Sequence, residues 1–413
     1  MRKILNRKID IERWSKLGDR VLVYGRRKVG KSFFVKNFTV WDDYFFVKRD
    51  SGVLDLRAGV EVSYDYLKDF LLRSSGRRVV IDEFQRLPDD FLDFLHAYGE
   101  RLNLVLITST LWLAQRILSF DSPILGLFQR FKMGLVDERD ILLGLSDIYS
   151  GRSLVEAAVY LREPWLIPMV EGDVRNEIPR IIYEERDTVE RLIGEVFREE
   201  ERSLKKSYAA ILTAVANGKR RSGEISSHLY SLKIIPRDDP SIIQGHLRTL
   251  VNIGLLERLK ILNKRFDEYQ HLSPITDLYF YLDSKYGFSE IDIPEGMVRK
   301  AFRKLLPLHV EQFFRNLLAK LYDMIPAKIL EKDYDVDIVL LDYRRIKLVG
   351  EVKWKEYIER RELAKTELVL SKFATAKKII VVPDSSALPY TPEKVEVWDP
   401  QITLEKVKHL TVN

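Results

Sequence analysis

The chain has 413 residues, of which 46% are hydrophobic and 31% are charged, and its formal charge at neutral pH is +6. This balance excludes a disordered chain, and the absence of cysteine excludes a disulfide framework and thiolate chemistry. The N-terminal segment lacks the apolar core of a signal peptide, and no run of about 18 apolar residues is available to span a membrane. We therefore expect a cytoplasmic protein of several domains without a membrane partner.

Residues 1–150 alternate short apolar runs with amphipathic stretches. Apolar strands that alternate with helices are typical of βαβ units and of a parallel sheet covered on both faces. The sequence therefore predicts an α/β domain at the N-terminus. The predicted strands carry the sequences VLVYG, YFFVKR, RRVVIDE, NLVLITST and FKMGLV.

A phosphate-loop pattern follows the first apolar run and precedes a helical stretch. Glycines are needed there because backbone N–H groups must close around phosphate oxygens without a side chain in the way. Lys31 would neutralise the β- and γ-phosphates of ATP, and Ser32 would ligate Mg²⁺. The predicted nucleotide-binding residues of this segment are Gly25, Arg26, Arg27, Lys28, Val29, Gly30, Lys31, Ser32 and Phe33.

Acidic residues at the end of the VVIDE strand complete the predicted nucleotide site. A carboxylate at the carboxyl end of a parallel strand lies beside the ligand crevice of an open α/β sheet. Asp82 would hold Mg²⁺, and Glu83 would polarise the attacking water. The hydroxyl residues at 108–110 either reach the γ-phosphate or cap a helix. Arg130 is either an arginine finger or a surface arginine.

Residues 151–202 read as a helical lid or connector that contains several prolines. Residues 203–285 read as three helices followed by two strands joined by a polar turn, which is the order of a winged helix-turn-helix. Between positions 201 and 272 there are 13 Lys and Arg but only seven Asp and Glu, so this segment carries the net positive charge of the chain. Such clustering is typical of nucleic-acid binding, although a solvated charged surface has the same composition.

Four side chains of this segment are candidates for contact with double-stranded DNA. Gln244 and Arg248, on the exposed face of the third helix, are the types that read base edges in the major groove. Lys264 and Arg265, in the wing turn, would contact phosphate. The alternative is a regulatory or contact module that never touches DNA.

Residues 294–413 read as a second, smaller α/β domain. Asp337 lies in one apolar strand, and the alternation of the next strand places Glu351 and Lys353 on one face. Two carboxylates with an adjacent lysine suit metal-assisted phosphodiester hydrolysis: the carboxylates would bind Mg²⁺ or Mn²⁺, and Lys353 would stabilise charge on phosphate. Strand phase leaves Asp335 as a competitor for the position of Asp337.

The segments GRRKVGKS, VVIDEFQRLP and SPILGLFQRF resemble the archaeal ATPase family, a branch of the AAA-related STAND NTPases. The resemblance covers about residues 2–202 and implies that positions 25–32, Asp82 and Glu83 form a nucleotide site. The chain departs from the family before the lid, where SGRSLVEAAVYL replaces a glycine-rich turn.

The C-terminal spacing resembles the PD-(D/E)xK nuclease superfamily, specifically the nuclease-like domain at the C-terminus of many archaeal ATPases. The resemblance implies a restriction-endonuclease-like α/β fold. It favours Asp337 over Asp335 and adds Glu311, on the preceding helix, to the acidic group.

These observations lead us to expect an ATP-binding, ATP-hydrolysing and DNA-directed protein with a metal-dependent nuclease centre. The alternative is a STAND-type nucleotide switch or assembly ATPase whose C-terminal domain binds partners without cutting. A homo-oligomer remains open.

Overall fold

A computed structural model describes residues 5–109, 117, 122, 124–196 and 202–411. The chain divides into two compact units. The first comprises Arg7–Leu135 with Gly194–Glu199, and the second comprises Val136–Ile193 and Glu200–Asn413 with the first six residues. Within the described helices, none combines the length and the apolar character needed to cross a bilayer.

A seven-stranded sheet forms the centre of the first unit. Its strands are β1 (Val21–Tyr24), β2 (Asp43–Val47), β3 (Val53–Asp55), β4 (Val60–Val62), β5 (Arg78–Asp82), β6 (Asn103–Thr108) and β7 (Gln129–Lys132). Five strands, in the spatial order β2-β5-β6-β1-β7, are parallel, and β3 and β4 add antiparallel pairs at one edge. The predicted parallel sheet is therefore confirmed.

The predicted position of the last strand is wrong. Strand β7 begins two residues earlier than the apolar run FKMGLV and ends at Lys132. Met133 still donates its N–H to the carbonyl of Tyr24, 2.8 Å away, but the chain then leaves the sheet. Because β7 is an edge strand, three of its four residues are exposed, and the apolar pattern did not mark its start.

Helices cover both faces of this sheet. They are α1 (Lys8–Trp14), α2 (Lys31–Phe38), α3 (Tyr64–Arg73) and α4 (Asp90–Tyr98). Since successive side chains of a strand point to opposite faces, Leu22 of β1 packs in one apolar cluster, whereas Val21 and Val23 pack in the other. Burial on both faces explains why the central strands read as continuous apolar runs.

The second unit contains the remaining described helices. They are α5 (Glu138–Leu145), α6 (Gly151–Leu161), α7 (Val174–Glu184), α8 (Arg186–Val196), α9 (Arg202–Ala216), α10 (Ser222–Ser231), α11 (Pro240–Asn252), α12 (Pro274–Tyr286), α13 (Glu295–Leu321), α14 (Arg360–Ser371) and α15 (Pro400–Thr411). Helix α8 runs into the segment assigned to the first unit. Helix α5 lies before the expected boundary at residue 150 but belongs to the second unit.

A second seven-stranded sheet joins two segments that are predicted from the sequence as separate domains. Its strands are β8 (Leu256–Ile261), β9 (Asp267–His271), β10 (Ile325–Leu330), β11 (Asp335–Asp342), β12 (Arg345–Val352), β13 (Lys377–Val381) and β14 (Glu396–Trp398). The spatial order is β14-β13-β12-β11-β10-β8-β9. Strand β8, in the hairpin that follows α9–α11, pairs in parallel with β10 of the C-terminal segment.

A single β-bridge lies on the other side of the hairpin. Arg221, between α9 and α10, forms an antiparallel bridge with Glu268 of β9. Tyr269 donates its N–H to the carbonyl of Arg220 at 2.8 Å. Helices α9–α11 are thus connected to the sheet in two ways. Helix α11 leads along the chain into β8, and the bridge joins the segment before α10 to β9.

Candidate functional site

The two glycines of the phosphate loop are required by the backbone. Gly25 has φ +152°, and a Cβ there would lie 2.1 Å from the carbonyl oxygen of Met133. Gly30 adopts a left-handed conformation with φ +88° as the residue that caps the N-terminus of α2. No other residue type fits both positions without strain.

Lys31 is held within the loop. Its Nζ donates to the carbonyl oxygens of Gly25 and Arg26 at 2.8 and 2.9 Å, and the side chain is buried. Burial lowers the pKa of Lys31 to about 8, although the charges of Glu83 and Asp82 oppose this shift. An anion bound at the loop would supply the negative charge that a buried ammonium lacks.

Arg7 lies outside the phosphate-loop motif but forms a hydrogen bond with the backbone of the loop. Its Nη1 donates to the carbonyl of Val29 at 2.8 Å, and its Nε donates to Asp10 Oδ2 at 2.6 Å. The side chain is buried. Sequence reasoning missed Arg7, because nothing in the local pattern connects it with a loop more than twenty residues later.

Asp82 lies at the end of β5, as predicted, and is buried. Its Oδ2 accepts a hydrogen bond from the hydroxyl of Tyr44 at 2.7 Å, whereas Oδ1 has no hydrogen-bond partner among the described residues. Burial raises the pKa of Asp82, and the hydroxyls of Tyr44 and Ser32 act in the opposite direction. A buried, unpaired carboxylate oxygen near the Ser32 hydroxyl fits a Mg²⁺ ion, bound directly or through water. Tyr44 is a second residue that sequence reasoning missed.

Glu83 follows Asp82 in a left-handed conformation with φ +59°. Its carboxylate lies 3.0 Å from Arg86, accepts from Gln85 Nε2 at 2.6 Å and accepts from Ser109 Oγ at 3.2 Å. Ser109 is thus the hydroxyl of the predicted 108–110 group that contacts Glu83; Thr108 is buried, and position 110 lies outside the described residues.

Arg130 is exposed on edge strand β7, in register with Leu22 of β1. Burial raises the pKa of Tyr24, and the charge of Arg130 opposes this shift. Arg130 therefore lies near the end of β1, within the same unit as the phosphate loop. Its role as an arginine finger stays a prediction.

Helix α11 presents the predicted exposed face. Gln244 and Arg248 are exposed, whereas Ile243, Leu247 and Leu250 are buried against the rest of the segment. The wide apolar stripe explains this arrangement, since residues three and four apart share a helix face.

Lys264 and Arg265 both lie in the turn between β8 and β9 and are exposed. The Lys264 Nζ is 2.9 Å from Glu331 Oε2, in the turn that follows β10. Lys264 therefore already pairs with a carboxylate, and its contact with a DNA phosphate stays a prediction. The sequence could not reveal a partner 67 residues away.

Asp337, Glu351 and Lys353 converge in the C-terminal segment. The antiparallel register of β11 and β12 pairs Ile338 with Gly350, which places Asp337 opposite Glu351. Lys353 Nζ donates to Glu351 Oε2 at 2.8 Å, and the Val352 N–H donates to Asp337 Oδ2 at 3.2 Å.

The carboxyl groups of Asp337 and Glu351 both have raised pKa values. Burial raises the pKa of Asp337, and the charges of Glu311 and Glu351 add to the shift. Burial also raises the pKa of Glu351, although Lys353 opposes it. Burial would lower the pKa of Lys353, but the charge and hydrogen bond of Glu351, together with the charges of Asp337 and Glu362, outweigh that effect and raise it. Such a pair needs a further cation to hold two negative charges.

Glu311 contacts cations rather than the other acids. Its Oε1 accepts from Arg315 at 2.9 Å and from Lys328 at 3.1 Å. Lys328 Nζ also lies 3.6 Å from Asp337 Oδ1. In the part of the chain that the structure describes, no cluster of three or more His, Asp or Glu side chains has the spacing of a metal site. A metal would therefore depend on Asp337 and Glu351, with Glu311 held by Arg315 and Lys328.

An open cleft of about 530 Å³ lies beside this centre. The turn 330–335, Glu351, Lys353 and one side of α14 line it. Asp335 faces the cleft and is exposed, whereas Asp337 is half-buried. Glu351 and Lys353 thus both line an open cleft.

Comparisons with known proteins give weak similarities to several solved structures. No family model and no curated protein matches the chain. Among solved structures it is similar to a Walker-type ATPase of Pyrococcus abyssi, with 16% identity, a TM-score of 0.49, and coverage of 67% of this chain and 96% of that one.

Two ORC proteins of Aeropyrum pernix are also similar. The ORC2 protein, in ADPNP and ADP complexes, has 13% identity, a TM-score of 0.39 and coverage of 72% and 91%. The ORC1 protein, in complex with DNA, has 15% identity, a TM-score of 0.30 and coverage of 70% and 96%. With TM-scores below 0.5, these similarities carry no functional argument, so the function of the chain has to be inferred from its own residues.

Proposed function

We propose that the chain binds and hydrolyses ATP with Mg²⁺ at the phosphate loop. One observation carries the proposal: Asp82 is buried, and its Oδ1 has no hydrogen-bond partner among the described residues. The same unit holds the ammonium group of Lys31 inside the phosphate loop. When bound, Mg²⁺ would neutralise phosphate charge. Lys31 would bind the β- and γ-phosphates, Ser32 and Asp82 would hold the metal, and Glu83 would orient water once released from Arg86.

The test is a titration of the full chain with a fluorescent ATP analogue, followed by a phosphate-release assay. Lys31→Ala should abolish binding, whereas Glu83→Gln should retain binding and lose hydrolysis. Lys16→Ala is the matched control, because Lys16 is an exposed lysine of the same unit that lies outside the predicted nucleotide-binding residues. Equal binding by wild type and Lys31→Ala would refute the site.

We further propose that the protein acts on duplex DNA and that its C-terminal centre hydrolyses phosphodiesters with Mg²⁺ or Mn²⁺. The exposed Gln244 and Arg248 support DNA binding, as does Arg265 in the wing turn. The convergence of Asp337, Glu351 and Lys353 supports the hydrolytic centre. Asp337 and Glu351 would hold the metal, which activates water, and Lys353 would stabilise charge on the phosphate.

Duplex binding should fall steeply with salt if phosphate contacts carry it. Arg248→Ala with Arg265→Ala should weaken it. For cleavage, Glu351→Gln should remove Mn²⁺-dependent degradation, while Glu362→Gln should retain it. Glu362 is a matched control because it lines the same cleft but pairs with Lys355.

The alternative is a nucleotide switch or assembly ATPase whose C-terminal domain binds without cutting. Lys328 favours it, since an ammonium group already lies against both Glu311 and Asp337. ATP turnover and DNA binding without cleavage in any divalent metal would support the alternative.

A further inference from the structure

The shared sheet fixes the wing turn beside the C-terminal cleft. Strand β8 pairs with β10 through Lys260 with Ala327 and Ile261 with Lys328. One residue further on, the Leu262 N–H donates to the carbonyl of Lys328 at 2.9 Å. The wing turn, residues 262–266, therefore leaves the sheet where β10 runs into the turn that lines the cleft.

Helix α13 ties the same hairpin to the strand that carries Asp337. Gln312 Nε2 donates to Glu257 Oε1 at 2.7 Å and to the carbonyl of His271 at 2.8 Å. Arg315 donates to Gln270 Oε1 at 3.0 Å and to the carbonyl of Asp337 at 3.2 Å. Gln312 and Arg315 are both buried; both hold the hairpin, and Arg315 also holds β11.

An ion pair joins the wing turn to the rim of the cleft. Lys264 Nζ lies 2.9 Å from Glu331 Oε2, and each side chain is 31% exposed. The Lys264 ammonium group is thus accessible to a second anion, such as a phosphate, that replaces Glu331. A DNA phosphate would offer Lys264 the same kind of oxygen acceptor that Glu331 now supplies.

We propose that helix α11, the wing turn and the C-terminal cleft form one composite duplex-DNA site, in which a phosphate displaces Glu331 from Lys264 and the same duplex enters the cleft. This proposal rests on the DNA-directed function proposed above and adds that recognition and cleft engage a single DNA molecule. Because the hairpin and the cleft share one sheet, the distance between them is fixed.

The charges of the side chains that line the cleft indicate which additional ion a duplex requires before it can enter. Three lysines line it, Lys332, Lys353 and Lys365, but five acidic residues do as well: Glu331, Asp333, Asp335, Glu351 and Glu362. Phosphate would be repelled by this lining alone. Affinity therefore comes from α11 and the wing turn, and entry into the cleft requires a divalent cation that compensates its acids.

The absence of cysteine from the chain allows a direct test that needs no catalytic activity. A short-arm photo-crosslinker is attached to a single cysteine of the full chain, which is then irradiated with duplex DNA and Mg²⁺. Lys365→Cys places the probe on the side of α14 that lines the cleft. Ala364→Cys, one residue earlier, faces a separate groove with Glu367 and Leu368 and is the matched control.

Ser241→Cys places the probe on the exposed face of α11, and its capping hydrogen bond uses only the backbone N–H. We expect crosslinks from Ser241→Cys and Lys365→Cys but not from Ala364→Cys, with the Lys365 crosslinks at one fixed offset from those of Ser241. Crosslinks from Ser241→Cys alone would overturn the composite site and leave DNA binding intact. Crosslinks from neither probe, with no salt-dependent binding by the unmodified chain, would overturn the DNA-directed function itself.

A charge-matched pair tests the ion pair. Glu331→Gln should tighten duplex binding by about two- to five-fold. This factor corresponds to the stabilisation that one exposed ion pair provides, and in the variant that ion pair no longer competes with phosphate for Lys264. Glu393→Gln removes the same charge from an exposed position in the other groove and should have a smaller effect. Equal changes in the two variants would show that net charge alone is responsible and would contradict the displacement of Glu331.

Discussion

Tyr44→Phe should weaken Mg²⁺-dependent nucleotide binding while leaving metal-free binding unchanged. The Tyr44 hydroxyl donates to Asp82 Oδ2 at 2.7 Å and leaves Oδ1 without a protein partner in the described residues. The ring is held independently, by an edge contact with Trp41 and by Lys36 over its face. Phenylalanine should therefore keep the packing and remove the hydroxyl that contacts Asp82 and Ser32, the two residues proposed to hold Mg²⁺.

The expected magnitude follows from the charge of the acceptor. A buried hydrogen bond to an ionised group contributes about 1.5–3 kcal/mol. If the lower value is what holds Asp82 in its orientation, the apparent Mg²⁺ affinity should fall about tenfold. Loss of a group that orients a metal ligand generally costs about 10–100-fold in metal affinity, which is consistent with this figure.

The assay is a titration with a fluorescent nucleotide, once with a graded series of Mg²⁺ and once with a chelator. Tyr64→Phe is the matched control: it removes a hydroxyl of the same unit that donates to Asp90 at 3.1 Å. An unchanged Mg²⁺ dependence in Tyr44→Phe would refute the idea that Tyr44 positions Asp82. A loss of affinity in the chelator as well would mean that the phosphate loop itself had been disturbed.

Three further predictions concern the second unit. Lys328→Met should increase Mn²⁺ affinity at least about tenfold by electron paramagnetic resonance, because a competing charge is removed from the carboxylates; equal affinity would argue against competition. Glu156→Gln should lower the free energy of unfolding in urea by about 1–3 kcal/mol, since Glu156 is buried and accepts from two arginines and a tryptophan. The contribution of His271 to stability should be lost as the pH drops below about 6.5, so the wild type should lose stability in acid relative to His271→Phe. Burial lowers the pKa of His271 beneath its ordinary 6.5, so the unfolded chain binds more protons there. Burial opposes the ionisation of Asp277, but a hydrogen bond to His309 together with the charges of His271, His309 and Arg220 outweighs it and lowers that pKa, so acid below the ordinary 3.8 removes a further contribution. A difference in urea midpoint between the wild type and His271→Phe that does not change with pH would contradict this assignment.

The phosphate loop could be predicted from sequence because its requirements are local. Gly25 and Gly30 serve backbone conformations within one short segment, and Lys31 bonds to carbonyls five and six residues away. The end of β5 was predictable for the same reason, since a buried apolar run that stops at Asp82 marks the strand end. Asp337 and Glu351 lie on neighbouring antiparallel strands with a short turn, so their approach also follows from local register.

The residues that escaped prediction act over long separations. Tyr44 reads as one aromatic residue of a buried strand, and its contact with Asp82 depends on which strands become neighbours. Arg7 lies before the first strand and reaches the loop only after folding. Lys328 follows an apolar pattern in β10, and only the packing of α13 against that strand reveals its two carboxylate partners.

The pairing of β8 with β10 has a consequence for how the C-terminal cleft can be regulated. Separating the hairpin from the C-terminal strands would expose an unpaired strand edge. It would also leave the buried Gln312 and Arg315 without their partners on β8 and β9, at a cost of about 1–3 kcal/mol for each. A regulatory step that releases the hairpin from the cleft is therefore unfavourable. Control of the cleft should act instead through what enters it, either a divalent cation at Asp337 and Glu351 or a phosphate that competes with Glu331.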